Sequence, residues 1–430
     1  MRMNRLLLIS APIIVFIIAQ YAGISAVNIL NNHPTKSLEL GNSGLLATNV
    51  GSNLYIAWTE FDNKEIALAS STPKKFHIDK ITNDYTMPLS RSIDASGSNV
   101  FIAWIDDYLY PRKVLLSSNI EGIDTKIIRE TNYILDYPTV VVSGPVVYIA
   151  WLEYIDNNYQ VLLRYSHDNG NTFSDIIRIS NPNNDASSIS IDADGSSVYI
   201  VWHEIINGKH KVLLRYSHDN GNTFSDIIEL NKHNAGFPTV EVEGSNVYIA
   251  WVERVNNNRN IVLIASNDAG NSFREILRIS DNATLPGLDV DGALVCLSWF
   301  GISNNIKLYE ACSIDNENFM MHKIAEGRLE MHRISVEGSN VYVTWVEEDG
   351  KIKQFNIAAS HNAGIDFNEP VNIAVGDINK AGIIASGSNV YALWSELYCV
   401  GFNCNKIETN VYARVSYDAG NSFEESFSLG

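Results

Sequence analysis

The chain has 430 residues, 46 % of them hydrophobic, and a formal net charge of −18 at pH 7. An acidic surface of this kind repels phosphate backbones and so argues against nucleic acid as a partner. At this length two or three ordinary domains would be usual, but the internal repeat described below favours a single large one.

The first 26 residues differ in kind from the rest of the chain. Arginines at positions 2 and 5 precede an apolar run over 6–19, and small residues follow up to Ala26. This order predicts a secretory signal that is cleaved after Ala26, and the apolar segment is also long enough to remain as an N-terminal membrane anchor. Residues 27–36 then form a linker, and the mature protein is extracellular or at the cell surface. Loss of both arginines would take the net charge to −20.

All eight tryptophans end copies of one phrase. Each copy begins with a glycine and a short, usually polar pair of residues, and continues with alternating aromatic and aliphatic residues up to the tryptophan. The copies end at Trp58, Trp104, Trp151, Trp202, Trp251, Trp299, Trp345 and Trp394, 46 to 51 residues apart. Units of this length cannot bury a core alone, so the spacing predicts a propeller or a solenoid. The copy at 244–251 is apolar on both faces of its strand, so its sheet must pack between two others, as a propeller blade does.

One unit illustrates the expected order of strands. Residues 238–243 form an inner strand a, and strands b, c and d follow at 245–253, 260–266 and 273–279. Four antiparallel strands joined by short turns make one blade, so residues 37–430 are predicted to be a single all-β propeller domain. Eight units predict eight blades, whereas seven blades would require that the first unit is split or excluded.

Two short segments compete to close the ring. Residues 37–40 lie before the first unit and resemble the d strands of other units, such as 227–230. Residues 426–429 at the C-terminal end compete for the same position. A terminal strand borrowed into the blade at the opposite end is a common way to hide sheet edges, and the sequence leaves both alternatives open.

The turn between strands c and d carries a second motif. Ser-His-Asp-Asn-Gly-Asn-Thr-Phe at 166–173 recurs unchanged at 217–224, and looser copies lie at 266–273 and 416–423. We expect the aspartate to accept backbone N–H bonds across the turn, the glycine to take a positive φ, and the phenylalanine to pack between sheets. The four pairs are Asp168 and Gly170, Asp219 and Gly221, Asp268 and Gly270, and Asp418 and Gly420.

This turn resembles the Asp box of the sialidase-like, or BNR-repeat, propeller superfamily. The resemblance implies the propeller fold, with the boxes on a rim remote from any sugar site, and it extends to receptors and lectin-like proteins as well as enzymes. Sialidases of the family use an Arg-Ile-Pro motif and three arginines that grip the substrate carboxylate. The motif does not occur here, and only Arg91 and Arg333 are expected to approach the channel. The resemblance therefore assigns no catalytic residue to this chain, and no metal site is predicted.

An acidic residue stands two positions after the tryptophan in seven of the eight units. The residues are Glu60, Asp106, Glu153, Glu204, Glu253, Glu347 and Glu396, with Gly301 in the remaining unit. Eight-fold placement would make them a ring of carboxylates at one mouth of the channel. The alternative is structural, because cross-strand ion pairs contribute roughly 0.2–1 kcal/mol each. Counting back through the hairpins gives the pairs Glu60 with Lys64, Asp106 with Arg112, and Glu204 with Lys211.

The inner strands carry a second acidic set, three residues before the glycine of the tryptophan phrase. Its members are Asp94, Asp192, Glu241 and Asp289. If this position faces the channel, neighbouring blades present carboxylates that share protons or hold a hard cation such as Ca²⁺. The alternative is that the side chains only solvate a wide channel. No acidic loop of the kind that binds Ca²⁺ accompanies them, so we expect no cofactor.

Aromatic residues gather after the tryptophan in several units. They are Tyr108, Tyr110, Tyr154, Tyr159, Phe300, Tyr398 and Phe402. On an exposed rim they would form a surface that binds a glycan or a peptide, since each ring offers an apolar face and tyrosine adds a polar group. Alternatively, they cover the tops of neighbouring blades.

The four cysteines fit an oxidising compartment. Cys296 and Cys312 lie on successive strands, and a turn near Asn304 would place them opposite each other, so they are predicted to form a disulfide. Cys399 and Cys404 flank a short loop and are predicted to form a second one. A buried free thiol is the alternative for each pair.

These observations favour an exported, non-catalytic propeller that binds a glycan, a peptide or another protein on the face of the b–c turns, or that acts as a scaffold at the cell surface. One alternative is a secreted glycoside hydrolase of sialidase-like fold, whose pair of carboxylates the sequence does not identify. A second alternative is a purely structural surface component. The membrane is a partner only through an uncleaved N-terminal segment.

Overall fold

The computed structural model describes residues 35–39, 45–50, 53–60, 65–72, 75–81, 88–96, 99–107, 110–119, 124–350, 352–400 and 406–429. The predicted signal segment and Cys404 lie outside these ranges. Within them the chain forms 33 strands in eight antiparallel sheets. None of the described residues belongs to a helix that is long and apolar enough to cross a membrane.

The first four sheets form one half of the ring. The first contains β1 (Thr35–Glu39), β2 (Leu45–Val50), β3 (Asn53–Glu60), β4 (Glu65–Thr72) and β5 (Lys75–Lys80). The second contains β6 (Pro88–Ser96), β7 (Asn99–Asp106), β8 (Arg112–Ser118) and β9 (Asp124–Thr131). The third contains β10 (Leu135–Ser143), β11 (Val146–Ile155), β12 (Asn158–Ser166) and β13 (Ile177–Arg178). The fourth contains β14 (Asp185–Asp194), β15 (Ser197–Ile206), β16 (Lys209–Ser217) and β17 (Ile228–Glu229).

The last four sheets complete the ring. The fifth contains β18 (Asn234–Glu243), β19 (Asn246–Val255), β20 (Asn258–Ser266) and β21 (Arg274–Ile279). The sixth contains β22 (Ala283–Asp291), β23 (Leu294–Ile302), β24 (Ile306–Ser313) and β25 (Met320–Gly327). The seventh contains β26 (Leu329–Glu337), β27 (Asn340–Asp349), β28 (Ile352–Ser360) and β29 (Val371–Gly376). The eighth contains β30 (Ile378–Ser386), β31 (Asn389–Val400), β32 (Lys406–Ser416) and β33 (Phe427–Ser428).

Each sheet is one blade, made from a continuous stretch of chain whose strands pair in sequence order. The prediction of an all-β propeller with eight four-stranded antiparallel blades is therefore confirmed, and the seven-bladed alternative is wrong. The first unit is a full blade although it lacks an Asp box, because its four strands a to d are all present as β2 to β5.

Neither terminal segment is exchanged between blades. β33 is the outer strand of the eighth blade, which therefore has four strands of its own. β1 pairs with the inner strand β2 of the first blade, and it also contacts the inner strands β6 and β30. Of the two alternatives that the sequence left open, the C-terminal segment 426–429 supplies the outer strand of the eighth blade, whereas residues 37–39 belong to β1 at the inner edge of the first blade. The first and eighth blades meet instead through apolar packing between β2, β3, β30 and β32.

The hydrophobic core is divided among the interfaces between blades. The buried apolar residues form eight clusters, and each cluster joins two neighbouring blades of the described structure. All eight tryptophans lie in these clusters with at most 4 % of their surface exposed. A buried Trp side chain removes more apolar area from water than any other residue, so these positions hold the blades together.

Five inner strands carry a β-bulge with a residue of positive φ. There is one such residue in each of the third to seventh blades, with φ between 47° and 57°: Tyr137, Ser188, Phe237, Leu285 and Met331. The pairing with strand b shifts register at each of these points. A positive φ is costly for a residue with a Cβ. Because the same bulge recurs in five blades, the bend that it gives the inner strand is part of the architecture.

The Asp box closes its own turn. Oδ1 of Asp168 accepts the N–H of Thr172 at 2.8 Å and the hydroxyl of Ser166 at 2.7 Å, and Oδ2 accepts the Thr172 hydroxyl at 2.7 Å. These donors lower the pKa of Asp168 to about 2. Asp219, Asp268 and Asp418 make the same set of bonds in their own turns.

Each box also packs on the preceding blade. Gly221 has φ +85°, and a Cβ at this position would lie 2.9 Å from the ring of Tyr165 and 3.1 Å from the ring of Tyr148. Arg215 on strand c donates to the carbonyls of Arg178 and Ile179 in the preceding blade, at 3.1 and 3.4 Å. The box is thus a device for closing turns and joining blades, as the sequence predicts.

Asp168→Ala and Asp219→Ala should each lower the free energy of unfolding by about 1–2 kcal/mol, because each removes three hydrogen bonds at a mostly exposed turn. Residues 161–177 and 212–228 are identical in sequence, so the two losses should agree. Urea unfolding followed by Trp fluorescence measures them, with Asp124→Ala, an exposed strand residue, as control. A loss no larger than that of the control would show that the box does not stabilise the blade.

Candidate functional site

One end of the ring, the b–c face, carries the b–c turns and the links from strand d to the next strand a. The other end carries the a–b turns and the Asp boxes. This separation follows from the alternating direction of the four strands in each blade. The predicted acidic ring and the aromatic residues that follow the tryptophans belong to the b–c face.

Three of the four inner-strand carboxylates join neighbouring blades. In each, Oδ1 accepts the N–H of the next residue at 2.8 Å, and Oδ2 accepts an N–H from the inner strand of the following blade. The bonds between blades are Val142 N to Asp94 at 2.7 Å, Val242 N to Asp192 at 2.7 Å, and Val336 N to Asp289 at 2.6 Å. Burial raises the pKa of Asp192 well above its usual range, and the two N–H donors oppose that rise.

These carboxylates are at most 3 % exposed, as is Glu241 on β18. Among the described residues, no three of these acids bring ligand atoms within coordinating distance of one another. The geometry therefore supports a structural role for Asp94, Asp192 and Asp289 within the interfaces between blades.

Three cations lie on the inner strands. Arg91 on β6 and Arg333 on β26 are placed as the sequence predicts, and Lys380 on β30 adds a third, which the sequence did not indicate. Burial lowers the pKa of Arg91 to about 10, of Arg333 to about 9 and of Lys380 to about 8, and the charge of Arg333 adds to the effect on Lys380. All three side chains remain partly exposed. They concentrate positive charge in an otherwise acidic protein.

The acidic residues after the tryptophans are engaged by neighbouring side chains. Glu153 is buried and accepts Nε and Nη2 of Arg129, at 2.9 and 2.5 Å, and the indole N–H of Trp151 at 3.2 Å. Glu204 is also buried and accepts the indole N–H of Trp202 at 2.9 Å, and burial raises the pKa of Glu204. In these two blades the acid satisfies a polar atom that would otherwise be buried without a partner.

Two further members of the acidic set have the same kind of role. Nη1 of Arg278 donates to Glu253 at 2.7 Å. Glu396 accepts the indole N–H of Trp394 at 3.1 Å and the hydroxyl of Tyr398. Glu347 and Asp106 are partly buried. The side chain of Glu60 lies outside the described part of the structure.

The predicted cross-strand pairs are partly wrong. The register places Glu60 opposite Glu65 rather than Lys64, and Asp106 opposite Lys113 rather than Arg112. The b–c turns of the first and second blades are each one residue longer than the count from the hairpin assumed, which moves the partner by one position in both. Glu204 does lie opposite Lys211, but the Lys211 ammonium binds Glu229 on the outer strand.

Five tyrosines of the second and third blades lie on the b–c face and are here named the tyrosine cluster; two of them are exposed and three are partly buried. Its members are Tyr110, Tyr133, Tyr137, Tyr154 and Tyr159. Tyr110 is 69 % exposed and Tyr133 is 47 % exposed. The rings of Tyr154 and Tyr159 have centroids 5.0 Å apart.

Arg112 joins this cluster. Its guanidinium carbon lies 4.6 Å from the centre of the Tyr110 ring, and its Nη2 donates to the Tyr110 hydroxyl at 2.9 Å. Sequence reasoning missed Tyr133 and Tyr137, because one lies on a d–a link and the other on an inner-strand bulge rather than after a tryptophan.

The other predicted aromatic positions differ among themselves. Tyr398 is 37 % exposed, and its hydroxyl lies 2.9 Å from that of Tyr412. Phe300 is buried with its ring packed edge-on against His332, so it covers a blade interface. Tyr108 and Phe402 lie outside the described residues.

A histidine pair lies at the b–c turn of the fourth blade. The Ser187 hydroxyl is 2.7 Å from Nδ1 of His203, and Nε2 of His203 is 2.8 Å from Nδ1 of His210. The two imidazole rings stack with centroids 4.9 Å apart. Burial, and then the charge of His210, lower the pKa of His203 to about 4, so His203 is a weak base near neutral pH.

The disulfide between Cys296 and Cys312 is present, as predicted, with the two Cα atoms 4.2 Å apart on paired strands. The side chain of Cys399 and the whole of Cys404 lie outside the described part of the chain, so the second disulfide remains a prediction.

Comparisons with known proteins give structural similarity at low sequence identity. No protein-family model and no curated protein matches the sequence. A sialidase of Trypanosoma rangeli is similar over 69 % of this chain and 56 % of its own length, with 12 % identity and a TM-score of 0.40. An ulvan lyase is similar over 82 % of this chain and 94 % of its own length, with 8 % identity and a TM-score of 0.47. The endosialidase of phage phi92 matches 79 % of this chain and 68 % of its own length, with 9 % identity and a TM-score of 0.43.

The chain has a propeller fold. The eight blades and the four intact Asp boxes of the chain itself confirm the resemblance at this level. Since this chain matches little more than half of the sialidase, the activity of that enzyme says nothing by itself about this protein.

Asp192→Asn should lower the free energy of unfolding by about 1.5–3 kcal/mol, because the amide cannot accept both backbone N–H groups that the carboxylate accepts. Urea unfolding measures the loss, and Asp377→Asn, at an exposed position, is the control. Equal stability of the two variants would mean that the bond between the fourth and fifth blades contributes nothing.

His203 should titrate near pH 4 in the folded protein. Because its pKa is lowered from 6.5 to about 4, its contribution to stability is complete above about pH 6.5 and is lost as the pH falls towards 4. Histidine side-chain NMR over pH 3 to 8 measures the titration, and His203→Gln identifies the resonance by its disappearance. A midpoint near 6.5 for that resonance would contradict the burial of the imidazole.

Proposed function

We propose that this chain is an exported, non-catalytic propeller that binds a glycan through the b–c face, with the tyrosine cluster as its contact surface. The observation that carries the proposal is the exposure of Tyr110, beside Arg112, and of Tyr133 on the b–c face. Tyrosine suits a sugar because its ring packs on the apolar face of a pyranose while its hydroxyl and a nearby guanidinium form hydrogen bonds.

The state of the acidic residues favours binding without catalysis. Glycoside hydrolysis requires two carboxylates that reach the scissile bond from opposite sides. Glu153, Glu204 and Glu253 are at most 2 % exposed and accept bonds from Trp or Arg side chains. They serve the interfaces between blades, and so they are poor candidates for an acid and base pair.

The inner-strand cations favour a ligand that carries negative charge. Arg91, Arg333 and Lys380 are partly exposed residues in a chain of net charge −18, although Nε of both arginines is buried. An acidic sugar would place its carboxylate or sulfate near them while neutral rings pack on the tyrosine cluster. No cofactor is part of this proposal, and Ca²⁺ in the channel is not needed for it.

Two independent features support the proposed location outside the cytosol. The N-terminal order of charge, apolar run and small residues is that of an export signal, and the disulfide between Cys296 and Cys312 is stable outside the reducing cytosol. A soluble glycan or the surface of another cell is then the accessible ligand. A peptide or protein partner on the same face is the second candidate.

A screen of the mature protein on arrays of neutral and acidic glycans tests the proposal. We expect retention of acidic glycans without release of any sugar. Tyr110→Ala and Tyr154→Ala should each weaken binding about 10-fold, the effect of losing about 1.4 kcal/mol of contact energy. Tyr417→Ala is the matched control, because Tyr417 is 54 % exposed on an Asp-box turn at the opposite end of the ring.

The other outcomes are informative. Release of a monosaccharide would establish the glycoside hydrolase instead. Glycan binding as strong in all three tyrosine variants as in the unaltered protein would place the ligand elsewhere on the ring. Absence of binding to every glycan on the array would favour a protein partner or a purely structural surface role.

A further inference from the structure

The sixth blade departs from the repeat at positions that are close together in space. Three residues before the tryptophan, seven blades have an aromatic side chain and the sixth has Cys296. The aromatic residues are Tyr55, Phe101, Tyr148, Tyr199, Tyr248, Tyr342 and Tyr391. The partner of Cys296 on strand c is Cys312.

A third departure lies on the same strand c. The residue opposite the one before the tryptophan is apolar in the other seven blades and is Glu310 in the sixth. Its equivalents are Leu68, Leu116, Leu163, Leu214, Leu263, Ile357 and Ala413. A carboxyl group in place of a core leucine is costly unless something compensates it, so the exchange requires an explanation.

The three exchanged residues form one buried cluster. The sulfur atoms of Cys296 and Cys312 and a carboxylate oxygen of Glu310 all lie within 4.8 Å of one another, and all three residues are at most 1 % exposed. The Oε2 atom of Glu310 is 3.3 Å from Nδ1 of His322, while Oε1 is buried without a hydrogen-bond partner among the described residues. An orphaned buried oxygen beside two sulfurs points to a missing ligand.

The c–d turn of the seventh blade, in which Asn362 stands where the Asp box has its aspartate, covers this cluster. Gly364 has φ +79°, and a Cβ at this position would lie 2.8 Å from Sγ of Cys312 and 3.1 Å from Oε1 of Glu310. In the other interfaces with an intact box the same glycine lies on an aromatic ring. The cluster is therefore enclosed between the sixth and seventh blades and closely covered by Gly364.

We propose that this cluster is a redox-dependent metal site, which holds the disulfide when oxidised and binds Zn²⁺ through Cys296, Cys312 and Glu310 when reduced. Two thiolates and one carboxylate are ligands that Zn²⁺ accepts in proteins, at Zn–S and Zn–O distances of about 2.3 and 2.1 Å. The three donor atoms already lie within 4.8 Å of one another, and reduction frees the two sulfurs, which are bonded in the disulfide, to separate around the ion. His322 provides a nitrogen next to the carboxylate and either orients it or completes the tetrahedral shell.

A phosphine reduces the disulfide between Cys296 and Cys312 by two electrons. The phosphine attacks one sulfur and breaks the S–S bond, and its two electrons leave with the second sulfur. Water then supplies the oxygen of the phosphine oxide and the two protons of the thiols. Zn²⁺ displaces those protons, which pass to solvent, so the b and c strands remain joined by the ion instead of the disulfide.

The test uses the mature chain with Cys399→Ser and Cys404→Ser, so that Cys296 and Cys312 are its only thiols. The protein is reduced with a phosphine, freed of reductant without air and titrated with Co²⁺ as a spectroscopic probe. We expect one equivalent to bind, with a thiolate-to-cobalt charge-transfer band that Zn²⁺ abolishes. The oxidised protein should show no band. Competition with a chromogenic chelator gives the Zn²⁺ affinity.

Variants of the carboxylate decide whether the site is the one proposed. Glu310→Gln should weaken Zn²⁺ binding at least about 10-fold, whereas Glu317→Gln, on the exposed turn nearby, should leave it unchanged. Glu310→Leu restores the residue type of the other blades, so it should fold and lose the band. A reduced protein without the band, or a band unchanged in both Glu310 variants, would overturn the proposal.

Discussion

The structure depends on burial between blades rather than within them. Each sheet is apolar on both faces, so a single blade would expose half of its hydrophobic residues to water. Eight clusters at eight interfaces remove that surface, and the last of them joins the first and eighth blades. Closure by packing has a consequence for the chain ends. The eighth blade keeps its own outer strand, and the segment before the first blade is free to lie along the inner edge of β2.

The same constraint accounts for most members of the two repeated acidic sets, on the inner strands and after the tryptophans. A blade packed on both sides buries the inner-strand positions and the ends of strands b, and polar groups at these places must find partners inside the protein. Asp94, Asp192 and Asp289 satisfy backbone N–H groups of the next blade, and Glu153 and Glu204 satisfy indole N–H groups. Repetition of an acid around the ring is thus a sign of architecture. It would be a poor guide to a catalytic pair.

The sequence was sufficient for the blade count, the strand order and the Asp boxes, because these depend on contacts within one unit. The pairing register at the b–c turns was harder to predict from the sequence, since one additional residue in a turn moves the partner of Asp106 from Arg112 to Lys113. The inner-strand bonds were out of reach for a different reason. Asp192 meets Val242 across 50 residues, and which face of the strand points to the next blade depends on the bulge at Ser188.

Function is better sought where the repeat is broken. Packing imposes the same demand on all eight interfaces, so a residue that differs in one blade is not explained by the demand that the others share. Two places stand out on this argument. The tyrosine cluster gathers five tyrosines at one end of two adjacent blades, and two of their rings, Tyr110 and Tyr133, are exposed. The sixth blade exchanges an aromatic residue and a leucine for a cysteine and a glutamate that touch each other. A ring that is symmetric for stability can bind ligands selectively only through such exceptions, and these two are its clearest ones among the described residues.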